Sequence, residues 1–495
     1  MTEEKETEIK SYLPPKGNTT THQLIIDKQN IFYKAHAEWI ILQKNDKPLA
    51  EMFHVAYIAE DKNENRPLIF VFNGGPGAAS AYLHLGALGP KKVLFNVDGT
   101  APKPPVKLID NEDSWLSFSD LVFIDPIGTG FSRMLDEEEI NKGKDKENKS
   151  KVDDKEYFKL NRDLEAMGEF IQRFLSKHGR WESPVYLVGE SYGGFRVACL
   201  AKRLQQGYGV GLNGVIIISP ALEFILLNPS DYDIQAWTDE FPSLALAAMW
   251  HGKSKIFKKG SSIVEVLKSA EDFAHNEMIK MLSLGNTMNG NEKAVIMKKM
   301  SEYLGISEEV IKKAEGRVPF RQFSRMLLKG ENKVIGHYDS SIQGIDPYPD
   351  RELFEGPDPT LFGSERIFTS GINAHIRKNL CIETERDYHL LNMEVNKSWK
   401  VEETHALLRQ VGATDELRYG MALNPHMKVF ITHGYHDLVT PYYSSTRLVA
   451  QMRLNRELVK NVTIKNYCGG HMFYLWKESR QNFKQDIFHF VEESK

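Results

Sequence analysis

The 495-residue sequence predicts an α/β fold, with a mostly parallel central sheet and helices on both faces. Three observations predict it. Short, fully apolar, β-rich runs recur between helical stretches, as buried parallel strands do. One of them, Val185–Val188, flows into Gly189-Glu190-Ser191-Tyr192-Gly193-Gly194. After it, Val197, Leu200, Ala201 and Leu204 fall on one stripe of a helix. The third observation is a break: the strand–helix alternation stops near residue 225 and resumes near 427. Helical patterns fill the interval, so a helical cap inserted into the α/β core is expected.

Taken in order, residues 1–30 are polar and read as a loosely held N-terminal segment. Glu38–Gln43 and Ala50–Tyr57 read as two strands joined by a turn at Asn45-Asp46. Pro67–Phe72 is an apolar central strand that runs directly into Asn73-Gly74-Gly75-Pro76-Gly77. Leu121–Ile124 is another buried strand, and Asp125-Pro126-Ile127-Gly128-Thr129-Gly130-Phe131-Ser132 follows it. The mixed-charge run 136–155 reads as a solvated loop. Asn161–Leu175 has helical periodicity and leads to the Ser191 turn. Gly214–Pro220 is the next core strand. Ser262–Leu284, Glu292–Leu304 and Ser307–Ala314 read as cap helices. Met427–Thr432, a helix over Leu448–Leu458, the strand Asn461–Ile464 and a final helix close the chain. The expected division is therefore 1–30 as the polar segment, 31–224 with 421–495 as the core, and 225–420 as the cap.

Composition narrows the function classes. A net charge of −4 gives no nucleic-acid footprint. No apolar run reaches the roughly 18 residues of a membrane span. Three cysteines, Cys199, Cys381 and Cys468, cannot make a disulfide framework, and the opening MTEEKETEIK lacks the apolar centre of a signal peptide. A cytoplasmic location is the expectation, with signal-independent export left open. The oligomeric state is not legible.

The chemistry centres on Ser191. A G-x-S-x-G turn between strand and helix lifts a hydroxyl above the sheet at a helix N-terminus, and the flanking glycines relieve the crowding of so sharp a bend. A serine hydroxyl needs a base beside it, and a histidine base needs a carboxylate to hold its tautomer. Ser191, Asp437 and His471 occur in the chain order that elbow enzymes use. Asp437 and His471 each follow a predicted strand by a few residues, where α/β active sites form. The glycines after Phe72 stand where a second oxyanion donor belongs. His433 and His436 beside Asp437 read as surface residues, so no metal is expected, and no cofactor. His54 and His84 read as structural. Cys199 and Cys468 read as packing residues, with Cys468 near enough to His471 to line a pocket.

With these motifs in hand, the chain resembles the serine carboxypeptidase family. The matching pieces are Asn73–Gly77, Asp125–Ser132, Gly189–Gly193, Gly434-Tyr435-His436-Asp437 and Gly470-His471-Met472, in the family's order. Leu83–Pro90 looks closer to the bacterial members than to the secreted eukaryotic ones. The resemblance implies an α/β-hydrolase fold, a peptide substrate, and hydrolysis from the C-terminus through an acyl-enzyme on Ser191. It implies catalytic roles for Ser191, Asp437 and His471, an oxyanion hole from the N–H groups of Gly75 and Tyr192, and a substrate grip from Asn73, Gly74 and Glu190. A second glutamate that the secreted members pair with the first falls on Ala87 here. The family cysteine after Gly-Gly-Pro-Gly is Ala78, and one near the aspartate is Thr440. Loss of the like-charged partner predicts weaker dependence on acid and activity that holds near neutral pH. The alternatives weighed are a proline-iminopeptidase-like aminopeptidase, a carboxypeptidase-like acyltransferase, and an interaction protein that keeps the fold.

Overall fold

The central sheet orders its strands as β1 (Asn18–Ile26), β2 (Gln29–Lys44), β3 (Lys47–Ala59), β7 (Asp120–Ile124), β4 (Leu68–Phe72), β9 (Val185–Glu190), β10 (Gly214–Ile218), β13 (Lys428–Thr432) and β14 (Val462–Ile464). The short β8 (Arg133–Met134) pairs with β3. Two hairpins stand apart: β5 (Lys91–Val93) with β6 (Leu108–Asp110), and β11 (Lys333–Ile335) with β12 (Gln343–Ile345). The structure is a computed structural model that describes residues 12–495 apart from 45–46, 62–64, 137, 140–152, 154 and 402–410. The turn expected at Asn45-Asp46, the opening decapeptide and most of the 136–155 run lie outside the described residues.

From β7 to β14 every pairing is parallel, whereas β1, β2, β3 and β7 pair antiparallel. The parallel strands β4, β7, β9 and β10 are buried throughout, which is why their sequences are unbroken apolar runs. Alternate side chains feed two cores. Val71, Val188 and Ile218 face one core, beneath the helices Leu361–Ala374 and Lys477–Glu493. Phe70, Leu187 and Ile217 face the other, beneath Leu160–His178, Tyr192–Gly207 and Thr414–Leu423. This is the expected three-layer arrangement.

Four expectations need correction. The N-terminal segment is tied down from residue 18, because β1 pairs with β2 along its whole length. Its first half alternates between partly buried and exposed positions, so it is an edge strand without an apolar face to announce it. The late helix runs over Tyr442–Gln451, not Leu448–Leu458; Pro441 stands at its N-cap. The 225–420 interval is not free of strands, because β11 and β12 lie inside it. Nor is it one layer. Trp237, Phe241, Phe273, Met300, Phe323 and Leu328 share a separate core, so the segment from about 234 to 335 is the true cap. Ile367, Phe368, Leu417 and Met421 instead join the two cores of the sheet.

Candidate active site

The sharp turn at Ser191 is as the glycine spacing requires. Ser191 has φ 59° and ψ −123°, a strained region for a side-chain-bearing residue, and it caps the Tyr192–Gly207 helix. Its backbone is held from both sides: its N–H donates to Ile218 O at 2.9 Å, and its carbonyl accepts from Gly194 N. The strain is stored where the hydroxyl must stand clear of the sheet.

The next residue along β10 holds the histidine. Ser219 Oγ donates to His471 O at 2.8 Å. Ser191 and His471 are therefore pinned to the consecutive residues Ile218 and Ser219 at the C-terminal end of β10. On its other side His471 N donates to Tyr338 O at 2.5 Å, and the Tyr338 ring meets the imidazole edge-on at 5.3 Å. Tyr338 belongs to the loop between β11 and β12, so the inserted region reaches the histidine itself.

His471 Nδ1 and Asp437 Oδ2 are 2.7 Å apart. The aspartate is fully buried but well solvated by donors. Val439 N and Thr440 N donate to Oδ1 at 2.8 and 3.0 Å, and Thr440 Oγ1 lies 2.7 Å from Oδ2. The same hydroxyl stands 3.0 Å from Ser219 O and 3.1 Å from His471 Nδ1. Burial alone would lower the His471 pKa, but the Asp437 charge and hydrogen bond, with help from Glu190, raise it above the ordinary value. An imidazolium is thus stabilised at the position where a base would collect a proton.

The Asn73–Gly75 turn packs directly on the elbow. A side chain at Gly74 would overlap Tyr192 N, so only glycine permits this approach. Among the described residues, no loop or side-chain acceptor takes the N–H of Gly75 or Tyr192. Asn73 knits the turn to its surroundings: Nδ2 donates to Glu190 Oε2, Oδ1 accepts from Leu83 N, and its carbonyl accepts from Arg196. Arg196 is in turn paired with buried Asp163 at 2.7 Å and lies over the Tyr192 ring.

Glu190 is buried, and burial pushes its pKa up to about 7, against the opposing pull of His471, Tyr474 and Asn73. Ala87 is buried in the turn His84–Leu88 and offers no carboxyl. Tyr474 stands there instead. Its ring packs on Gly86, where an added Cβ would lie 2.7 Å from the ring edge. The Tyr474 hydroxyl is close enough to influence Glu190, yet neither it nor Glu190 Oε1 has a well-formed hydrogen bond among the described residues, and Tyr82 Oη is also buried and unpaired. Three polar atoms without partners mark a place for a polar ligand.

Other titratable groups of the core and the inserted region fall outside this cluster. Asp125 is buried and accepts from Ser80 N; burial raises its pKa to about 7. Asp339 accepts from Ser341 and Trp476 beneath the cap. His433 and His436 are not surface residues: both are buried, and burial lowers them to about 4 and about 3. His433 bridges Thr440 O and Ser445 Oγ, so it braces the Asp437 loop. His84 bonds to Tyr57, as a structural histidine would. Burial raises the Cys468 thiol to about 11, which keeps it protonated at neutral pH. Sequence reasoning missed Thr440, Tyr474, Tyr82 and Tyr338 as contributors. Only Thr440 left a signal, as the residue standing in for a family cysteine.

The strand order, the elbow after β9 and the Asp437–His471 pair after β13 and β14 define an α/β-hydrolase fold. A family description of serine carboxypeptidase matches residues 28–483, and the chain belongs to that family. It is 29% identical over 174 residues to serine carboxypeptidase-like 13 of Arabidopsis thaliana, covering 34% of this chain and 36% of that protein. It is 37% identical over 159 residues to a pheromone-processing carboxypeptidase of Saccharomyces cerevisiae, covering 30% of this chain and 19% of that one. The chain thus spans little more than a third of the length of the curated plant relatives it matches. The crystal structure of a prohormone-processing carboxypeptidase from Saccharomyces cerevisiae superposes with a TM-score of 0.53 at 17% identity, over 93% of this chain and 92% of that one. That likeness shows the shared fold.

Proposed function

We propose that the protein is a serine-type carboxypeptidase that removes residues from the free C-terminus of peptides through an acyl-enzyme on Ser191. The observation that carries this reading is the juxtaposition of the Asp437–His471 pair with a strained elbow serine and a buried, partly unpaired Asn73–Glu190–Tyr474 cluster. Ser191 Oγ attacks the last peptide carbonyl as His471 Nε2 takes its proton. The N–H groups of Gly75 and Tyr192 receive the oxyanion. His471 then gives the proton to the departing amine, and water repeats the sequence to release the acyl group. Glu190, protonated up to about neutral pH, donates to the substrate's terminal carboxylate, with Tyr474 beside it. Three unpaired cysteines among the described residues support a reducing, cytoplasmic setting.

The test is a set of peptides blocked at the N-terminus, with free or amidated C-termini, and products read by mass spectrometry. Stepwise loss from the free C-terminus, with slow turnover of the amides, is expected. Cleavage that requires a free N-terminus would point to an aminopeptidase instead.

A further inference from the structure

On the antiparallel side of the sheet, Glu38, His54 and His178 converge. Among the described residues they are the group of three metal-ligating side chains whose donor atoms all lie within 4.8 Å of one another. The fold builds this meeting. Glu38 and His54 are direct cross-strand partners in the β2–β3 pair, and His178 ends the Leu160–His178 helix that crosses above them. Phe170 and Phe174 press edge-on against the His54 ring at 5.0 and 5.6 Å, and His178 stacks on Phe174 at 4.2 Å, so both imidazoles are held in place.

The imidazole Nε2 atoms have little else to do. His54 is 0% exposed, and neither of its ring nitrogens has a hydrogen-bond partner among the described residues; Nε2 of His178 has none either. An unpaired buried imidazole is costly unless something occupies its lone pair. The Nε2 atoms of His54 and His178 lie 3.7 and 3.6 Å from Glu38 Oε1. Ligands of tetrahedral zinc, each about 2.0–2.1 Å from the ion, stand about 3.3–3.4 Å apart, so shifts of a few tenths of an ångström close the site. We propose that Glu38, His54 and His178 form a binding site for a divalent transition-metal ion, with zinc the best match to two imidazoles and one carboxylate, water completing the coordination.

Lys177 competes with the ion for the carboxylate. Its ammonium stands 2.7 Å from Glu38 Oε1, on a side chain 47% exposed that swings into solvent when an ion binds. The carbonyl end of the helix adds a favourable potential for a cation. The ion would tie the antiparallel strands to the helix and shares no residue with the Ser191 site.

The test uses the full chain, stripped with chelator, then titrated with zinc(II) by calorimetry and with cobalt(II) by visible absorption. One ion per chain, cobalt bands typical of nitrogen and oxygen ligands, and a raised Tm are expected. Because His54→Ala opens a cavity in the core, Glu38→Gln and His178→Ala carry the test, each checked for fold by circular dichroism. Each should weaken binding at least tenfold. Lys177→Ala should tighten it severalfold. No saturable zinc binding to the wild type, or binding that survives both ligand variants, would overturn the assignment.

Discussion

Thr440 shows how one hydroxyl can serve three groups. It bridges the Asp437 carboxylate, the carbonyl of Ser219 and the edge of His471. Thr440→Val keeps the shape and removes the donor. A hydrogen bond to a charged group is worth about 1.5–3 kcal/mol, so kcat should fall roughly tenfold to a hundredfold, with KM nearly unchanged. Steady-state kinetics on one blocked dipeptide decides it; a change confined to KM would exclude the role. Glu190 supplies a pH prediction. Its folded pKa of about 7 lies above the ordinary 4.5 because of burial. Protonated Glu190 can donate to a terminal carboxylate; the ionised form repels it. Binding of free C-termini should therefore weaken as pH rises through about 7, and Glu190→Gln should abolish that alkaline limb. The sign for stability is parallel: the folded state keeps a proton that the unfolded chain has lost, so stability falls as pH rises between 4.5 and about 7, and the glutamine variant lacks this fall. On the acid side activity is limited by protonation of His471, whose pKa the Asp437 charge and hydrogen bond raise against burial. Glu190 is itself protonated over that range, so Glu190→Gln should leave the acid limb in place. An alkaline limb of kcat/KM that persists in the glutamine variant would contradict this role for Glu190. At this scale the strand-end positions of Ser191, Asp437 and His471 were legible because each follows an apolar strand and carries a motif around it. Tyr474 and Tyr338 were not, because their places depend on how distant segments fold back.

Among the elements, the Leu160–His178 helix does more than cover the sheet. Asp163 in its first turn holds Arg196, which reaches Asn73 O and lies over Tyr192, so a buried ion pair links this helix to the turn and the elbow. Asp163→Ala would leave Arg196 charged and alone. Breaking such a pair from one side costs about 3–5 kcal/mol. The denaturation midpoint in urea should fall accordingly, while an Asp163→Ala/Arg196→Met double variant should recover much of the loss. Failure of the second change to recover stability would show that the pair is not the cause. The element pattern was readable wherever strands are buried on both faces, as in β4, β9 and β10. It failed for β1, whose partly exposed, threonine-rich face carries no apolar period, and for the helix Tyr442–Gln451, whose start is set by Pro441 while its later residues gave the stronger pattern.

Over the whole molecule, two of the contacts that join the inserted region to the core bear on the site. One is the loop carrying Tyr338, which receives the His471 N–H. The other is the buried pair between Asp239 of the helix Ile234–Trp250 and Arg447 of the helix Tyr442–Gln451, 2.6 Å apart. Arg447→Ala strands a buried carboxylate at that seam. Hydrogen exchange should accelerate in 234–250 more than in β9 or β10, and kcat should drop although no catalytic group has changed. Uniform exchange across the chain would mean that cap and core unfold as one unit. The helical character of the insertion was visible in its periodicity. Its limits were not, because the helices Leu361–Ala374 and Thr414–Leu423 resemble cap helices in sequence and are told apart only by the core they bury against.

The central claim is that Ser191 is a nucleophile activated by the Asp437–His471 pair. The most direct measurement is mapping of a fluorophosphonate adduct by mass spectrometry after brief labelling of wild type, Ser191→Ala and Asp437→Asn. A single adduct at Ser191 is expected in the wild type and none in the alanine variant, whose turnover should fall by about a million-fold. The Asp437→Asn variant should label far more slowly, with turnover down by about ten-thousand-fold through the wrong His471 tautomer. An adduct that persists in Ser191→Ala, or labelling of Asp437→Asn at the wild-type rate, would contradict the account.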